Sequence, residues 1–148
     1  MALKTVEQYY NSLRQMSPTT YILGEKVINV IDHPLIKGQI AAVAQTYKLA
    51  QDPEYKERLV GESKLIRSEV SRFVKLYESV DDLLVKVKTL KFLSQRIGTC
   101  YMRCTGMDAL NATGVVTYEV DRKYGTTYHE RLLEYLKYVQ ENDLTVWS

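Results

Sequence analysis

Cysteine and histidine are scarce in this 148-residue sequence, which contains only two of each. Two cysteines cannot build the multiple disulfides that staple small secreted domains. The sequence also has no apolar run of membrane-spanning length, and its start (MALKT) has none of the features of a secretory signal. We therefore expect a cytoplasmic protein whose thiols are free, buried or metal-bound rather than paired in a disulfide.

The sequence also lacks a large excess of charge of one sign, since it contains 20 Lys and Arg residues and 18 Asp and Glu residues. Such a balance provides no electrostatic argument for a nucleic-acid or membrane partner. With 45% hydrophobic and 26% charged residues, the composition is that of an ordinary globular protein. The length suits one domain with a real core, so we predict a single domain over residues 1–148.

Apolar residues recur at helical spacing in four main segments, and a further segment continues the third one and ends near residues 124–125. A capping box opens the first segment at Thr5 and the last at Thr127, and residues 32–34 (DHP) precede the second. Ser79 opens the third and most regular segment. This third segment predicts a helix with a buried stripe of Leu83, Leu84, Val87, Leu90, Leu93 and Ile97.

Two stretches depart from the helical pattern. Apolar residues flank Gly24 within residues 21–31, so a short β-hairpin is predicted there, although two strands alone are only marginally stable. Residues 61–77 fit neither the helical nor the strand period, so the pattern assigns them no element. The predicted fold class is all-α with at most one short β-hairpin.

Cys100 and Cys104 are four positions apart, a spacing that places two side chains on one face of a helix, one turn from each other. Two thiolates so placed can hold one metal ion or two corners of one cluster. A closed zinc or iron–sulfur site uses four ligands, so the others must come from elsewhere. Spacing alone favours the alternative that two small apolar side chains fill a helix interface.

The two histidines and the helix-start carboxylates have ordinary structural interpretations. His33 lies at a helix entry, and His129 lies in the first turn of the last helix, where a surface or interface role is favoured over metal binding. Asp81, Asp82 and Glu130 lie where carboxylates offset the helix dipole. Phosphate-binding glycine loops, serine nucleophile elbows and His-Glu-x-x-His motifs do not occur, so any chemistry must come from a cofactor.

Five runs spread over nearly the whole chain carry a family resemblance. They are residues 9–14 (YYNSLR), 24–27 (GEKV), 32–34 (DHP), 46–55 (TYKLAQDPEY) and 134–144 (EYLKYVQENDL). Together they resemble the flavoproteins that include 4-hydroxyphenylacetate 3-hydroxylase and 4-hydroxybutyryl-CoA dehydratase. These runs mark the family but not its branch.

Residues 100–112 (CYMRCTGMDALNA) indicate the branch. They are similar to the dehydratase segment that supplies two cysteine ligands to a 4Fe-4S cluster. The hydroxylase branch lacks the cysteine pair there and carries an Arg and a Pro before the Asp, whereas residues 105–107 (TGM) precede Asp108 here. The resemblance therefore implies that Cys100 and Cys104 are metal ligands.

The resemblance implies the helical amino-terminal domain of an acyl-CoA-dehydrogenase-like flavoprotein, a homotetramer with FAD beside the cluster. The implied reactions are removal of water from 4-hydroxybutyryl-CoA, giving crotonyl-CoA, and vinylacetyl-CoA delta-isomerisation. Because the dehydration breaks an unactivated C–H bond, a flavin radical step with Lewis-acid help from the cluster is expected. Polar residues that lie near the acyl-CoA cleft by sequence, or simply on a helix surface, are Gln95, Arg96, Arg103, Asp108 and Asn111.

Other parts of the implied site have no match in this sequence. The family's remaining cluster ligands, a His and a third Cys, and its catalytic Glu and Tyr belong to later domains, so catalytic and flavin-binding residues stay unassigned. We expect the chain alone to be inactive, with a labile or absent cluster, and to associate with the remainder of the same enzyme or with subunits of a homo-oligomer. Two alternatives stay open: a component of a flavin-dependent 4-hydroxyphenylacetate 3-monooxygenase, and a truncated, non-catalytic helical interaction module.

Overall fold

A computed structural model describes residues 3–16 and 18–146 of the chain. Over these residues the protein is mainly helical, with two pairs of antiparallel strands, so the predicted helical fold class is confirmed. No helix in these ranges is both long enough and apolar enough to cross a lipid bilayer. In chain order the elements are α1 (Val6–Met16), β1 (Thr20–Ile22), β2 (Glu25–Val27), α2 (Lys37–Gln51), α3 (Lys56–Leu59), β3 (Val60–Ser63), β4 (Ser68–Ser71), a 3₁₀ turn (Arg72–Val74), α4 (Val80–Ile97), α5 (Cys104–Tyr124) and α6 (Tyr128–Glu141).

The capping box predicted at the start of α1 forms. The backbone N–H of Gln8 donates to Thr5 Oγ1 at 3.2 Å, and the Gln8 side chain accepts from the Thr5 N–H at 2.8 Å. α1 then packs against α2 through Tyr9, whose ring stacks on that of Tyr47 with 4.9 Å between the centroids. Because Tyr47 is only 1% exposed, this contact lies at the centre of the packing between the two helices.

Both departures from the helical pattern are β-hairpins. The predicted hairpin is β1–β2, which turns at Gly24 with φ at 86°. Residues 28–31, predicted to extend its second strand, lie outside it. The unassigned residues 61–77 contain a second hairpin, β3–β4, followed by the 3₁₀ turn. Its strand period is hidden in the sequence because Ser63 and Ser71 occupy buried positions.

α4 begins as predicted, since the hydroxyl of Ser79 accepts from the backbone N–H of Asp82 at 3.2 Å. The predicted buried stripe is wrong in the first half of the helix. There Leu83, Leu84 and Val87 are 46%, 52% and 64% exposed. The apolar residues of these turns therefore lie on the surface of the described chain.

The inward face of the same half of α4 is polar. Asp82 pairs with Lys75 at 2.9 Å, and Lys86 pairs with Asp108. Thr89 donates to a backbone carbonyl of α3 at 2.9 Å. Because these polar groups find partners on other elements, they take the inward positions that a hydrophobicity pattern assigns to apolar side chains.

α5 and α6 pack against each other across a short corner at Gly125, which ends α5 in the left-handed conformation (φ 66°). The capping box predicted at Thr127 does not form. Instead Asp121, near the end of α5, accepts from the backbone N–H groups of Tyr128 at 3.0 Å and His129 at 2.8 Å. A carboxylate of the preceding helix thus performs the capping that the sequence pattern assigns to a local hydroxyl.

Among the described residues the core consists of three apolar groups, and one of them packs against one member of the predicted cysteine pair. In that group the fully buried Leu93 of α4 lies with Tyr101 and Met107. Cys104 packs against its edge. Cys104 is therefore in contact with a packed apolar core.

Candidate metal-binding site

The two predicted ligands do not share one helix. Gly98 ends α4 in the left-handed conformation (φ 71°), and its N–H donates to the Ser94 carbonyl at 3.1 Å. Cys100 lies in the loop that follows, whereas Cys104 is the first residue of α5. The prediction of adjacent helical turns is wrong because this glycine stops the helix before the pair. We call residues 98–104 the cysteine loop.

The thiols of the cysteine loop are open to solvent to different degrees. Cys100 is exposed, Cys104 is partly buried, and both are free of disulfides. Between them, Tyr101 and Arg103 are 4% and 2% exposed. With these two side chains turned inward as anchors, the loop keeps its cysteines nearer to the surface than their neighbours.

The backbone of the cysteine loop is constrained at Met102, where φ is 59°. A residue with a side chain rarely adopts this left-handed conformation, which persists only where the surroundings hold it. The buried side chains of Tyr101 and Arg103, the residues before and after Met102, keep the backbone in this conformation. The path of the chain between the cysteines is therefore fixed by interior contacts.

Arg103 joins the cysteine loop to three distant segments. Its guanidinium lies over the ring of Tyr47, 4.3 Å from the centroid, and over the ring of Phe73 at 4.7 Å. Nη2 donates to Asp143 Oδ1 at 3.1 Å, and Nη1 donates to Thr46 Oγ1 at 3.2 Å. A planar guanidinium can stack on rings and bind a carboxylate at the same time, so a lysine would not replace it.

Asp143 brings both ends of the described chain toward the cysteine loop. Its Oδ2 accepts from the Lys4 backbone N–H at 3.0 Å, and its backbone carbonyl accepts from the Tyr47 hydroxyl at 3.0 Å. The next residues cross the start of α5 at Gly106, where an added Cβ would lie 2.6 Å from the carbonyl carbon of Val146 and closer still to its oxygen. The first turn of α5 is therefore enclosed by the carboxyl-terminal segment.

Tyr101 lies within electrostatic reach of both thiols. Burial raises the pKa of Tyr101 to about 12, and the proximity of Cys104 and, to a smaller extent, Cys100 adds to the rise. A hydrogen bond with Ser94 acts in the opposite direction. The phenol is therefore neutral at physiological pH and presents no charge that would repel thiolates.

The five polar residues predicted near the acyl-CoA cleft differ in accessibility. Arg103 is buried, and Asn111 accepts from the N–H of residue 77 at 2.7 Å while donating to two backbone carbonyls. Both are thus committed to internal hydrogen bonds. Gln95, Arg96 and Asp108 are exposed, although Arg96 lies over an aromatic ring and Asp108 pairs with a lysine of α4.

The histidines have local structural contacts. His129 Nδ1 lies 3.1 Å from Thr117 Oγ1, and its ring meets that of Tyr118 edge-on. His33 Nδ1 accepts from the backbone N–H of Leu35 at 3.3 Å. Across residues 3–16 and 18–146, no group of three or more His, Cys, Asp or Glu side chains is placed to hold a metal ion. The two thiols are at most part of a donor set.

The structure has a narrow cleft beside the start of α4 that the sequence patterns do not predict. The ion pair of Lys75 and Asp82 lines it, together with Tyr77 and Lys86. The Tyr77 hydroxyl is buried with no hydrogen-bond partner among the residues that the structure describes, and burial raises its pKa far above the usual value. Half of this cleft comes from residues 61–77, to which the periodicity assigns no element.

Comparison with known proteins places these features in a family. Residues 5–148 match the family model described as 4-hydroxyphenylacetate 3-hydroxylase N terminal. The chain is 51% identical over 144 residues to 4-hydroxybutyryl-CoA dehydratase/vinylacetyl-CoA-Delta-isomerase of Clostridium aminobutyricum, which covers 97% of this chain and 29% of that protein. It is 28% identical over 142 residues to the 4-hydroxyphenylacetate 3-monooxygenase oxygenase component of Thermus thermophilus, which covers 95% of this chain and 28% of that one.

Solved structures give the same order of similarity. An oxygen-tolerant archaeal 4-hydroxybutyryl-CoA dehydratase from N. maritimus superposes with a TM-score of 0.92 at 39% identity, covering 97% of this chain and 28% of that one. The oxygenase component HpaB, complexed with FAD, superposes at 0.72 with 23% identity, over 96% and 29% of the two chains, and shows the shared fold. This chain spans less than a third of the length of each of these relatives. It belongs to the 4-hydroxyphenylacetate 3-hydroxylase N-terminal family and resembles the amino-terminal region of its 4-hydroxybutyryl-CoA dehydratases.

Proposed function

We propose that this chain is the amino-terminal helical domain of a cytoplasmic flavin and iron–sulfur enzyme that dehydrates 4-hydroxybutyryl-CoA and isomerises vinylacetyl-CoA. In this proposal Cys100 and Cys104 are two ligands of a 4Fe-4S cluster. The observation that carries it is the cysteine loop, in which two interior anchors leave one thiol exposed and one partly buried. Identity of 51% to a dehydratase, against 28% to a monooxygenase component, supports the choice of branch.

The donor set of the chain fits half of such a cluster. Thiolates are the usual ligands of iron–sulfur clusters, and a 4Fe-4S cluster normally takes about four. The described residues supply two cysteines and no third metal-binding group beside them, so the other ligands belong to polypeptide beyond this domain. A bound cluster supplies a Lewis acid, and a flavin supplies one-electron chemistry. Cys100 and Cys104 would hold the cluster as two of its ligands, while Tyr101 and Arg103 orient the backbone between them.

The chain also contributes one wall of the acyl-CoA cleft in this proposal. Gln95, Arg96 and Asp108 flank the cysteine loop in sequence and keep exposed surface, so they are the available polar groups. Arg103 and Asn111 are not available, because their polar atoms are used inside the domain. FAD belongs to the complete enzyme, and we assign no residue of this chain to it.

The remainder of the same polypeptide or another subunit of a homo-oligomer is the proposed partner. The exposed Leu83, Leu84 and Val87 of α4 support association, since apolar side chains grouped on one helix face gain free energy when covered. The isolated chain is expected to show no dehydratase activity. Tight FAD binding by this chain alone would exclude the alternative of a non-catalytic interaction module.

Anaerobic iron–sulfur reconstitution of the enzyme that contains this domain tests the proposal. The unaltered enzyme should show a broad iron–sulfur absorbance, about four iron atoms per subunit and crotonyl-CoA formation. Cys100→Ser and Cys104→Ser should each lose iron and activity, whereas Thr99→Ser, in the same loop, should keep both. Full iron content in both cysteine variants would refute the ligand assignment. Flavin-dependent hydroxylation of 4-hydroxyphenylacetate without any iron would support the monooxygenase alternative instead.

A further inference from the structure

We infer that Arg103 is a positioning residue for the two thiols. Its buried guanidinium, held between Tyr47 and Phe73 and paired with Asp143, fixes the loop that presents Cys100 and Cys104. This inference rests on the proposed function, because it assigns Arg103 a task toward the proposed cluster ligands. It adds a residue that touches neither the cluster nor the substrate and acts only through the backbone of the cysteine loop.

The burial of Arg103 is the first step of the argument. The side chains of Arg103 and Asp143 are 2% and 5% exposed, so both charges are removed from water. A buried charge persists only when it is paired and hydrogen-bonded in good geometry. The two Nη atoms meet this condition through Asp143, Thr46 and the Leu144 carbonyl, whereas Nε is buried with no hydrogen-bond partner in the described chain. The guanidinium thus has little freedom to shift.

The location of Arg103 in the loop is the second step. It directly precedes Cys104 and is separated from Cys100 by only two residues, Tyr101 and Met102. Met102 is in the left-handed conformation, and it stays there only while its neighbours are held. Arg103 is fixed by partners on α2, the 3₁₀ turn and the carboxyl-terminal segment. These contacts therefore also fix the backbone between the two thiols.

A role in stability alone predicts a different pattern of effects, and the chain offers a matched control. The carboxylate of Asp121 is also held by hydrogen bonds, from the backbone N–H groups of Tyr128 at 3.0 Å and His129 at 2.8 Å. It lies near the other end of α5 from Cys104, roughly 25 Å away along the helix. Loss of this charge should lower stability without changing how the thiols are presented.

Phenylarsine oxide is a suitable probe, because one arsenic bonds two thiols at once. Its oxygen leaves as water with the two thiol protons, so two S–As bonds form without any redox change. Simultaneous capture depends on the effective concentration of the second thiol near the first, which positioning controls. Alkylation of a single thiol by iodoacetamide depends on exposure and not on pairing. The two reagents together separate the geometry of the pair from its accessibility.

The experiment compares this chain with Arg103→Lys, Thr46→Val and Asp121→Asn, each confirmed as folded by circular dichroism. Arg103→Lys should weaken arsenical capture on the order of tenfold, while iodoacetamide rates change far less. Thr46→Val, which removes one acceptor of the guanidinium and keeps the side-chain shape, should weaken capture in the same direction by a smaller factor. Asp121→Asn should leave capture unchanged.

The outcomes separate the inference from the function on which it rests. If the unaltered chain captures the arsenical no more tightly than the single-thiol variant Cys104→Ser, the thiols do not act as a pair and the proposed function fails. Suppose instead that the unaltered chain captures the arsenical tightly. If Thr46→Val and any folded Arg103→Lys then capture it equally tightly within error, Arg103 does not position the pair. If Arg103→Lys does not fold, Thr46→Val decides alone.

Discussion

Alanine at Gly106 and at Gly114, both on α5, should change stability in opposite directions. A Cβ at Gly106 would lie 2.6 Å from the carbonyl carbon of Val146, well inside the 3.0 Å below which real Cβ atoms are essentially never found. The obstacle is backbone, so the carboxyl-terminal segment would have to move as a unit. At Gly114 the nearest atom is Leu76 Cδ2 at 3.5 Å, an ordinary contact.

The magnitudes follow from two opposing terms. Replacing glycine by alanine inside a helix stabilises by about 0.5–1 kcal/mol at either position. Overpacking at Gly106 costs about 1–3 kcal/mol, because Leu144 and Val146 are held against a core group and cannot retreat freely. Gly114→Ala should therefore raise the free energy of unfolding, and Gly106→Ala should leave it about 1–3 kcal/mol below that of Gly114→Ala.

Urea denaturation followed by circular dichroism measures both variants. A third protein, with Gly106→Ala in a chain that ends at Thr145, removes the obstacle and should recover the helical gain relative to the equally shortened parent. If Gly106→Ala is as stabilising as Gly114→Ala in the complete chain, the close passage of the carboxyl-terminal segment over α5 is wrong. The contact of Asp143 with the cysteine loop would then lose its support as well.

Three further predictions concern the caps and the interior. Thr5→Ala should lower the free energy of unfolding by about 1 kcal/mol, measured in urea, because one bond of the α1 capping box is lost; no change would contradict that cap. Tyr47→Phe should cost about 1–3 kcal/mol in the same assay, since the Asp143 carbonyl loses its buried donor. Desolvation raises the pKa of Asp121, but hydrogen bonds from Thr126 and from backbone N–H groups of α6 hold it below the ordinary 3.8. That stabilisation is complete above pH 3.8 and is lost as the pH falls through the lower folded value, so Asp121→Asn should flatten the acid branch of the unfolding midpoint against pH.

Local signals in the sequence predict elements where no distant group competes. The box at Thr5 forms from two residues only three positions apart, Thr5 and Gln8, which bond each other's backbone N–H groups. The equivalent pattern at Thr127 does not form, and Asp121, on the preceding helix, accepts instead from two other N–H groups of the same helix turn. A carboxylate is the stronger acceptor for amides at a helix start, where the dipole also favours negative charge. Such competition depends on the corner at Gly125 and is invisible in a four-residue window.

Hydrophobic periodicity identifies an apolar face but not what covers it. In α4 the pattern follows Leu83 and Val87, which are exposed, while Asp82 and Lys86 face inward with partners from other elements. Satisfied polar groups can occupy an interior at little cost, whereas the pattern treats every charge as a surface residue. The helix is therefore predicted correctly, but the inward face of its first half is not.

The same limit explains why the sequence can point to Cys100 and Cys104 but not to the internal contacts of Arg103. A family resemblance in residues 100–112 implies that Cys100 and Cys104 are ligands, although their spacing alone does not. Arg103 gives no local signal, since its counter-ion Asp143 is 40 positions away and its hydrogen-bond acceptor on α2 is 57 positions away. A chain that ended before Asp143 would leave this guanidinium buried without its carboxylate, at a cost of several kcal/mol. The carboxyl-terminal segment is therefore part of the thiol site, although it contributes no ligand.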